Sequence, residues 1–147
     1  HRWRFNLKTG ETHEEHLDER ILEFGCFNRK FQAKKTRYLY STTTKPGWFL
    51  FNGIVKHDLE TGESIQVEFP DGEFLSEPAF VPRVGSTEEE DGYLITFTID
   101  TNNDRSECLL IDAKDIEAGP VCRIPLPHRI SSGTHAIWAD SDELTQA

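Results

Sequence analysis

The chain lacks long apolar runs and is poor in basic residues. None of its apolar stretches approaches the length that a membrane-spanning helix requires. Its formal net charge is −10, with 16 Lys and Arg against 26 Asp and Glu. A nucleic-acid surface needs clustered Lys and Arg, so the composition argues against such a partner. Basic residues do gather between Arg29 and Arg37, and we interpret that cluster as a solvated loop.

Cysteine is scarce, and its three residues form no recognisable set. Cys26, Cys108 and Cys122 are an odd number without Cys-x-x-Cys spacing, which fits neither a disulfide framework nor a zinc site. Unpaired thiols are typical of reducing compartments. We therefore predict a cytoplasmic protein.

Strand-forming sequence dominates the chain, and helical periodicity is weak throughout. Aromatic and β-branched residues gather in short segments separated by polar stretches that contain Gly and Pro, a pattern typical of β-strands and their turns. The composition predicts an all-β fold. The predicted strands are 3–7, 36–43, 48–56, 64–69, 93–100, 108–111 and 121–126.

A segment near residue 6 recurs twice along the chain. Equivalent residues are 58 − 6 = 52 and 112 − 58 = 54 positions apart. Repeats of roughly 50 residues are typical of β-propeller blades, each of which is one small antiparallel sheet. The three copies are RFNLKTGE at 4–11, KHDLETGE at 56–63 and, more loosely, LIDAKD at 110–115.

Two of these copies contain explicit turn chemistry. Gly10 and Gly62 each follow a threonine, and glycine supplies the positive φ that a tight hairpin needs. Residues 1–7 begin inside an apparent strand, and a propeller closes with about 4 to 8 blades. We expect about three blades' worth of a partial propeller, truncated at its N-terminus.

Two polar clusters are interpreted as ordinary surface features and not as metal sites. The acidic run from Glu88 to Asp91 matches no calcium-loop spacing, and we interpret it as a solvated hairpin tip. His13 and His16 flank two glutamates, but the pattern differs from the His-Glu-x-x-His zinc motif, and a strand would point the two rings to opposite faces. We expect no metal site there, and we interpret His57 as an ordinary surface or packing residue.

His135 stands apart from the other histidines because of its context. A strand, a Pro-rich bend and a run of small residues lead to this single imidazole, which apolar residues follow. Taken alone, a core histidine is the favoured interpretation. Four ordered segments of the chain favour a different interpretation of His135.

Those segments resemble the C-terminal third of a carotenoid cleavage oxygenase, a family that includes apocarotenoid and lignostilbene dioxygenases. Each segment alone is a weak signal, and the ordered set is specific. The matching segments are ILEF at 21–24 ahead of RYLY at 37–40; SEPAFVPR at 76–83; EDGYL at 90–94 with SECLLIDA at 106–113; and IPLP at 124–127 leading to GTH at 133–135.

The resemblance implies a seven-bladed propeller with one ferrous iron on its axis, bound by four histidines from different blades. It makes His135 the last of these ligands, and Glu23 and Glu77 become glutamates that hydrogen-bond iron-bound histidines. A carboxylate in that position fixes the tautomer of the imidazole and raises its basicity. The sequence departs from the family at Thr134, often aromatic there, and at Ala136, often glycine, which puts the substrate wall in doubt. For Glu23, in its apolar Leu22–Phe24 frame, burial without a partner would be costly. We expect Glu23, Glu77 and His135 to converge and to face one common cavity.

The resemblance also implies the reaction. The full-length protein would be a non-haem Fe(II) dioxygenase that uses O2 to cleave a C=C bond of a lipophilic, conjugated carotenoid, apocarotenoid or stilbene into two carbonyl products. Residues 1–147 would be the C-terminal part of its propeller domain and inactive alone. The sequence assigns no other catalytic residue, and peripheral contact with a membrane stays open. Two alternatives remain at this point: a non-catalytic propeller module that binds proteins, and a calcium-dependent propeller hydrolase.

Overall fold

The computed structural model describes residues 1–145 and consists mainly of short strands. The predicted domain, 1–147, therefore includes two residues outside the described range. The strands are β1 Arg2–Phe5, β2 Thr12–Glu15, β3 Leu22–Cys26, β4 Tyr38–Thr43, β5 Gly53–Asp58, β6 Ser64–Glu68, β7 Glu73–Leu75, β8 Ala79–Pro82, β9 Gly92–Asp100, β10 Arg105–Asp112 and β11 Pro120–Pro125. Two 3-10 turns, Arg29–Phe31 and Ile116–Ala118, and one short helix, α1 Ser141–Leu144, complete the list for these residues.

The strands form three antiparallel sheets that follow one another along the chain. The first is the hairpin β1–β2, and the second is the four-stranded meander β3–β4–β5–β6. In the third, β11, β10 and β9 are neighbours, and β7 and β8 both pair with the free side of β9. The prediction of an all-β fold in consecutive antiparallel units is confirmed, with the first unit present as a two-stranded hairpin.

The repeated turns share one hydrogen-bond pattern, which confirms the predicted hairpins. The side chain of Asn6 accepts hydrogen bonds from two backbone N–H groups at 3.0 and 3.3 Å, and Asp58 does the same at 2.9 and 3.3 Å. Gly10 and Gly62 both have φ = 78°. The looser third copy, at Asp112, leads into a 3-10 turn instead of a tight hairpin.

The main core lies between the second and third sheets. Its largest members include Tyr40, Leu94 and Leu109, each at most 1% exposed. Tyr40 donates a hydrogen bond across the interface to the carbonyl of Ala113 at 3.0 Å. The two sheets therefore pack as successive blades that share one apolar layer.

The acidic run at 88–91 lies at the tip of the β8–β9 hairpin, as predicted, but it joins these two sheets, so the prediction that it is solvated is wrong. All four carboxylates bind protein groups, and only Glu88 is exposed. A turn between strands can reach the neighbouring sheet, and local sequence does not encode that contact. The partners are Lys114 for Glu88, the backbone N–H groups of Arg37 and Tyr38 for Glu89, Lys56 for Glu90, and Arg83 for Asp91.

The basic cluster at 29–37 was predicted to be a solvated loop, but several of its side chains form hydrogen bonds and ion pairs with other parts of the chain. Arg29 donates a hydrogen bond to the carbonyl of Trp138, Lys35 pairs with Glu60, and Arg37 pairs with Asp58. These contacts neutralise much of the local positive charge.

Among residues 1–145 the single α-helix has four residues, too few to cross a membrane.

The segment between the first hairpin and β3 is tied to the second sheet by a network centred on Asp18. Its side chain is 10% exposed, accepts a hydrogen bond from Arg20 at 2.8 Å and lies 2.7 Å from His57 Nε2. The hydrogen bonds from Arg20 hold the pKa of Asp18 well below its usual value. His57 is 5% exposed, so it is a packing residue.

Acid should weaken this network. Because the folded-state pKa of Asp18 is lowered, its stabilising contribution is complete above the unfolded-state value of about 4 and is lost as the pH falls below it. Lowering the pH from 7 to 2 should therefore narrow the difference in free energy of unfolding between the wild type and Asp18→Asn by on the order of 1 to 2 kcal/mol. Urea titrations at both pH values measure this, and an unchanged difference would contradict the assignment.

Candidate functional site

Glu77 and His135 meet although 58 residues separate them. The Nδ1 atom of the imidazole lies 3.0 Å from Glu77 Oε2, and the same oxygen accepts a hydrogen bond from the backbone N–H of Ala136 at 2.8 Å. The Glu77 side chain is 17% exposed, whereas that of His135 is 81% exposed. An ionised carboxylate can only accept, so in the neutral form of the imidazole Nδ1 carries the proton and Nε2 keeps its lone pair.

Glu77 lies at a break in the edge of the third sheet. The strand stops after Leu75 and resumes at Ala79, because Pro78 cannot donate to the ladder. Ser76 fills the gap with side-chain bonds: its hydroxyl accepts from Phe97 N at 3.1 Å, and its carbonyl accepts from Thr96 Oγ1 at 2.9 Å. These bonds fix the backbone on one side of Glu77 and aim its carboxylate away from the sheet.

His135 lies on an irregular segment, residues 126–140, which we call the strap. It runs between β11 and α1 without strand or helix. Gly133 lets the strap pass close to Ser76, since an added Cβ there would lie 3.4 Å from the serine Cβ. The imidazole therefore reaches Glu77 on a segment that belongs to neither sheet.

Aromatic rings lead away from the imidazole. Phe24 meets the His135 ring edge to face at 5.2 Å between centroids, and Phe51 meets Phe24 at 4.9 Å. Phe51 is 6% exposed, and its neighbour Phe49, at 6.2 Å, is 75% exposed. Phe24 adopts φ = 52° within the irregular part of β3. Sequence reasoning missed its contact with His135, because no local pattern in residues 22–26 encodes a partner on the distant strap.

Glu23 does not join the pair. Its side chain is exposed, and among residues 1–145 it forms no hydrogen bond or ion pair with Glu77 or His135. Leu22 and Phe24 point inward on β3, so the residue between them faces the other way. Of the three residues expected to converge, the described part of the chain brings together only Glu77 and His135. Its pairing with a histidine stays a prediction.

The pair at Glu77 and His135 offers one free nitrogen ligand with an oriented ring. Carboxylate–imidazole pairs of this kind commonly support metal ligands. Among residues 1–145 no group of three or more His, Cys, Asp or Glu side chains could hold a metal ion. The described residues thus provide one candidate ligand at this position.

Known proteins match this chain in sequence and in fold. Residues 1–140 match the family model described as retinal pigment epithelial membrane protein, RPE65. A carotenoid 9,10(9',10')-cleavage dioxygenase 1 of Pisum sativum is 37% identical over 97% of this chain and 29% of its own length. The chain therefore spans less than a third of that relative.

Two solved structures of a Synechocystis apocarotenoid oxygenase share the fold. A point mutant superimposes with a TM-score of 0.87 at 28% identity, covering 95% of this chain and 29% of the other. A cobalt-substituted form gives a TM-score of 0.80 at 26% identity, covering 89% of this chain and 28% of the other. These oxygenases are β-propeller enzymes, which accounts for the successive small sheets seen here.

Proposed function

Because the chain belongs to the RPE65 family of carotenoid cleavage oxygenases, we propose that its protein is a non-haem, iron(II)-dependent dioxygenase. One C=C bond of a carotenoid, apocarotenoid or stilbene-type substrate and one O2 molecule give two carbonyl products. Each product takes one oxygen atom, so O2 is the only oxidant required. Residues 1–147 are proposed as the C-terminal part of the propeller domain that carries out this reaction.

The observation that carries the proposal is the bonded pair of Glu77 and His135. The Glu77 carboxylate lies 3.0 Å from Nδ1 of His135. It holds the imidazole in the tautomer that leaves Nε2 as a metal ligand. A surface histidine has no need of such an arrangement, in which one carboxylate oxygen fixes both the ring and the adjacent backbone N–H. The donor set suits a divalent transition metal, since neutral imidazole binds iron well.

The residues of this chain would have separate tasks around the metal. A ferrous ion bound by His135 and by histidines elsewhere would supply the O2 chemistry that amino-acid side chains lack. Glu77 would orient the imidazole and place negative charge beside an otherwise neutral ligand shell. Glu23, exposed on β3, would be available to a histidine outside this chain.

The aromatic rings support a lipophilic, conjugated substrate. Phe24, Phe51 and Phe49 form a continuous series that starts at the His135 ring and ends at an exposed side chain. Offset and edge-on contacts with such rings favour flat π-systems. A polyene or stilbene in contact with the accessible parts of Phe24 and Phe49, with the buried Phe51 ring behind them, would be held close to the imidazole, and water would be excluded from that side.

The function is tested with the full-length protein and a panel of a carotenoid, an apocarotenal and a hydroxylated stilbene. We expect two carbonyl products from at least one of them in equal amounts, with one O2 consumed per cleavage. Removal of metal by a chelator should abolish turnover, and Fe(II) should restore it, whereas redox-inert Zn(II) should not. Mass spectrometry after reaction in labelled O2 identifies the products. Turnover that survives complete metal removal would contradict the proposal.

A further inference from the structure

The strap at residues 126–140 is held by very few contacts. Nearly all of its side chains are exposed, and only Leu126, Ile130 and Ala139 are half-buried. A segment without a strand ladder or a buried side chain has little that fixes its path. The position of His135 therefore depends on the polar groups that bind the strap on either side of it.

Ser106 holds the strap before His135. This residue of β10 is 1% exposed. Its carbonyl accepts a hydrogen bond from Leu126 N at 2.9 Å, and its hydroxyl accepts one from Ile130 N at 3.2 Å. One buried serine thus binds both ends of the Pro-containing bend that starts the strap.

Arg29 holds the strap after His135. It lies in the 3-10 turn that follows β3, and its Nη1 donates a hydrogen bond to the carbonyl of Trp138 at 3.1 Å. Its Nη2 also lies 3.8 Å from Glu143 in helix α1. The indole of Trp138 donates to Asp140 at 2.9 Å, which stiffens the same end of the strap.

We infer that Ser106 and Arg29 are positioning residues for His135, an inference that rests on the proposed role of His135 as a metal ligand. Their bonds lie at Ile130 and Trp138, five residues before and three residues after the imidazole. Neither side chain touches the ring. They limit the movement of the strap, so that Nε2 stays where Glu77 and Phe24 direct it, and a ligand held in place loses less freedom when it binds a metal.

The experiment measures cobalt(II) binding by the metal-free, full-length protein, and the probe is the metal alone. Ser106→Ala and Arg29→Met should each weaken binding about 3- to 10-fold, the effect of one lost hydrogen bond, and should change the visible d–d spectrum of bound cobalt. Arg29→Lys keeps a donor for Trp138 and should stay within about twofold of wild type. Thermal unfolding of each variant is followed in parallel.

Two matched variants separate positioning from general effects. Lys30→Met removes a charge beside Arg29, and Ser41→Ala removes a buried hydroxyl on β4. Neither side chain forms a hydrogen bond or ion pair with the strap within residues 1–145, so both variants should bind cobalt as wild type does. If Ser106→Ala fails to fold, Arg29→Met still tests the positioning role of Arg29, because it changes a half-exposed side chain.

The outcomes distinguish this inference from the proposed function. If His135→Ala keeps stoichiometric cobalt, the metal role of His135 is wrong and the inference falls with it. If His135→Ala loses cobalt while the Ser106 and Arg29 variants retain wild-type affinity and spectrum, only the positioning role is overturned. Weaker binding by Ser106→Ala or Arg29→Met, with unchanged matched variants, supports each residue separately.

Discussion

Replacing His135 with alanine in the full-length protein is expected to reduce bound iron to background and to abolish alkene cleavage. We propose His135 as one of four inner ligands, and in the structure Glu77 lies 3.0 Å from its Nδ1, which leaves Nε2 for the metal. Glu77→Gln keeps the imidazole but weakens the acceptor beside it, so metal affinity or turnover should fall by roughly 10- to 100-fold. Elemental analysis and product formation, measured on the same samples, give both quantities.

His13→Ala is the matched control for these two variants. His13 is exposed on β2, in the first hairpin, where we expect no metal role. Iron content and turnover should equal those of wild type. A His135→Ala enzyme with stoichiometric iron and normal turnover would end the assignment of this residue, whichever substrate is used.

The largest loss of stability is expected from Lys56→Met. The Lys56 side chain is 9% exposed, and its Nζ donates to Glu90 at 2.8 Å and to the carbonyls of Ala113 and Lys114 at 2.9 and 3.1 Å. It also lies 4.9 Å from the centre of the Tyr38 ring. Removing the ammonium leaves the half-buried Glu90 carboxylate and the Lys114 carbonyl without this donor, while the Ala113 carbonyl keeps the hydrogen bond from Tyr40. This change should lower the free energy of unfolding by about 3 kcal/mol.

Lys114→Met provides the comparison for Lys56. Its Nζ pairs with Glu88, but the two side chains are 42% and 70% exposed, and exposed ion pairs contribute at most about 1 kcal/mol. Urea unfolding of both variants measures the difference. Equal, small losses would show that the contacts of Lys56 between the second and third sheets contribute no more than a surface pair.

Features with local causes were predictable from the sequence. The turns at Thr9-Gly10 and Thr61-Gly62 were predicted because glycine supplies the positive φ that such turns need. The structure adds a side-chain acceptor, Asn6 or Asp58, four residues before each glycine. The strand predicted to start at Trp48 begins instead at Gly53, since residues 46–52 form a loop in which Gly47 takes φ = 80°. The short strands β7 and β8 have too few residues for an alternation to be visible.

Features with distant partners were not predictable. Glu89 accepts from the backbone of Arg37, 52 residues away, and no local pattern distinguishes that carboxylate from a solvated one. Glu23, Glu77 and His135 were expected to converge only because the chain resembles a known family, and Glu77 and His135 do meet. Their hydrogen bond and the contact of Phe24 with the ring depend on how the strap crosses the sheets, which requires the tertiary structure.

The strap also determines how this pair can be inherited. The imidazole comes after β11, and the carboxylate that orients it comes from the interrupted edge before β9. The carboxylate therefore belongs to the third sheet, whereas the imidazole lies on the strap, outside the three sheets. Duplication, deletion or exchange of the third sheet alone would separate the ligand from its acceptor. The smallest segment that transfers this pair as a unit is the third sheet together with the strap.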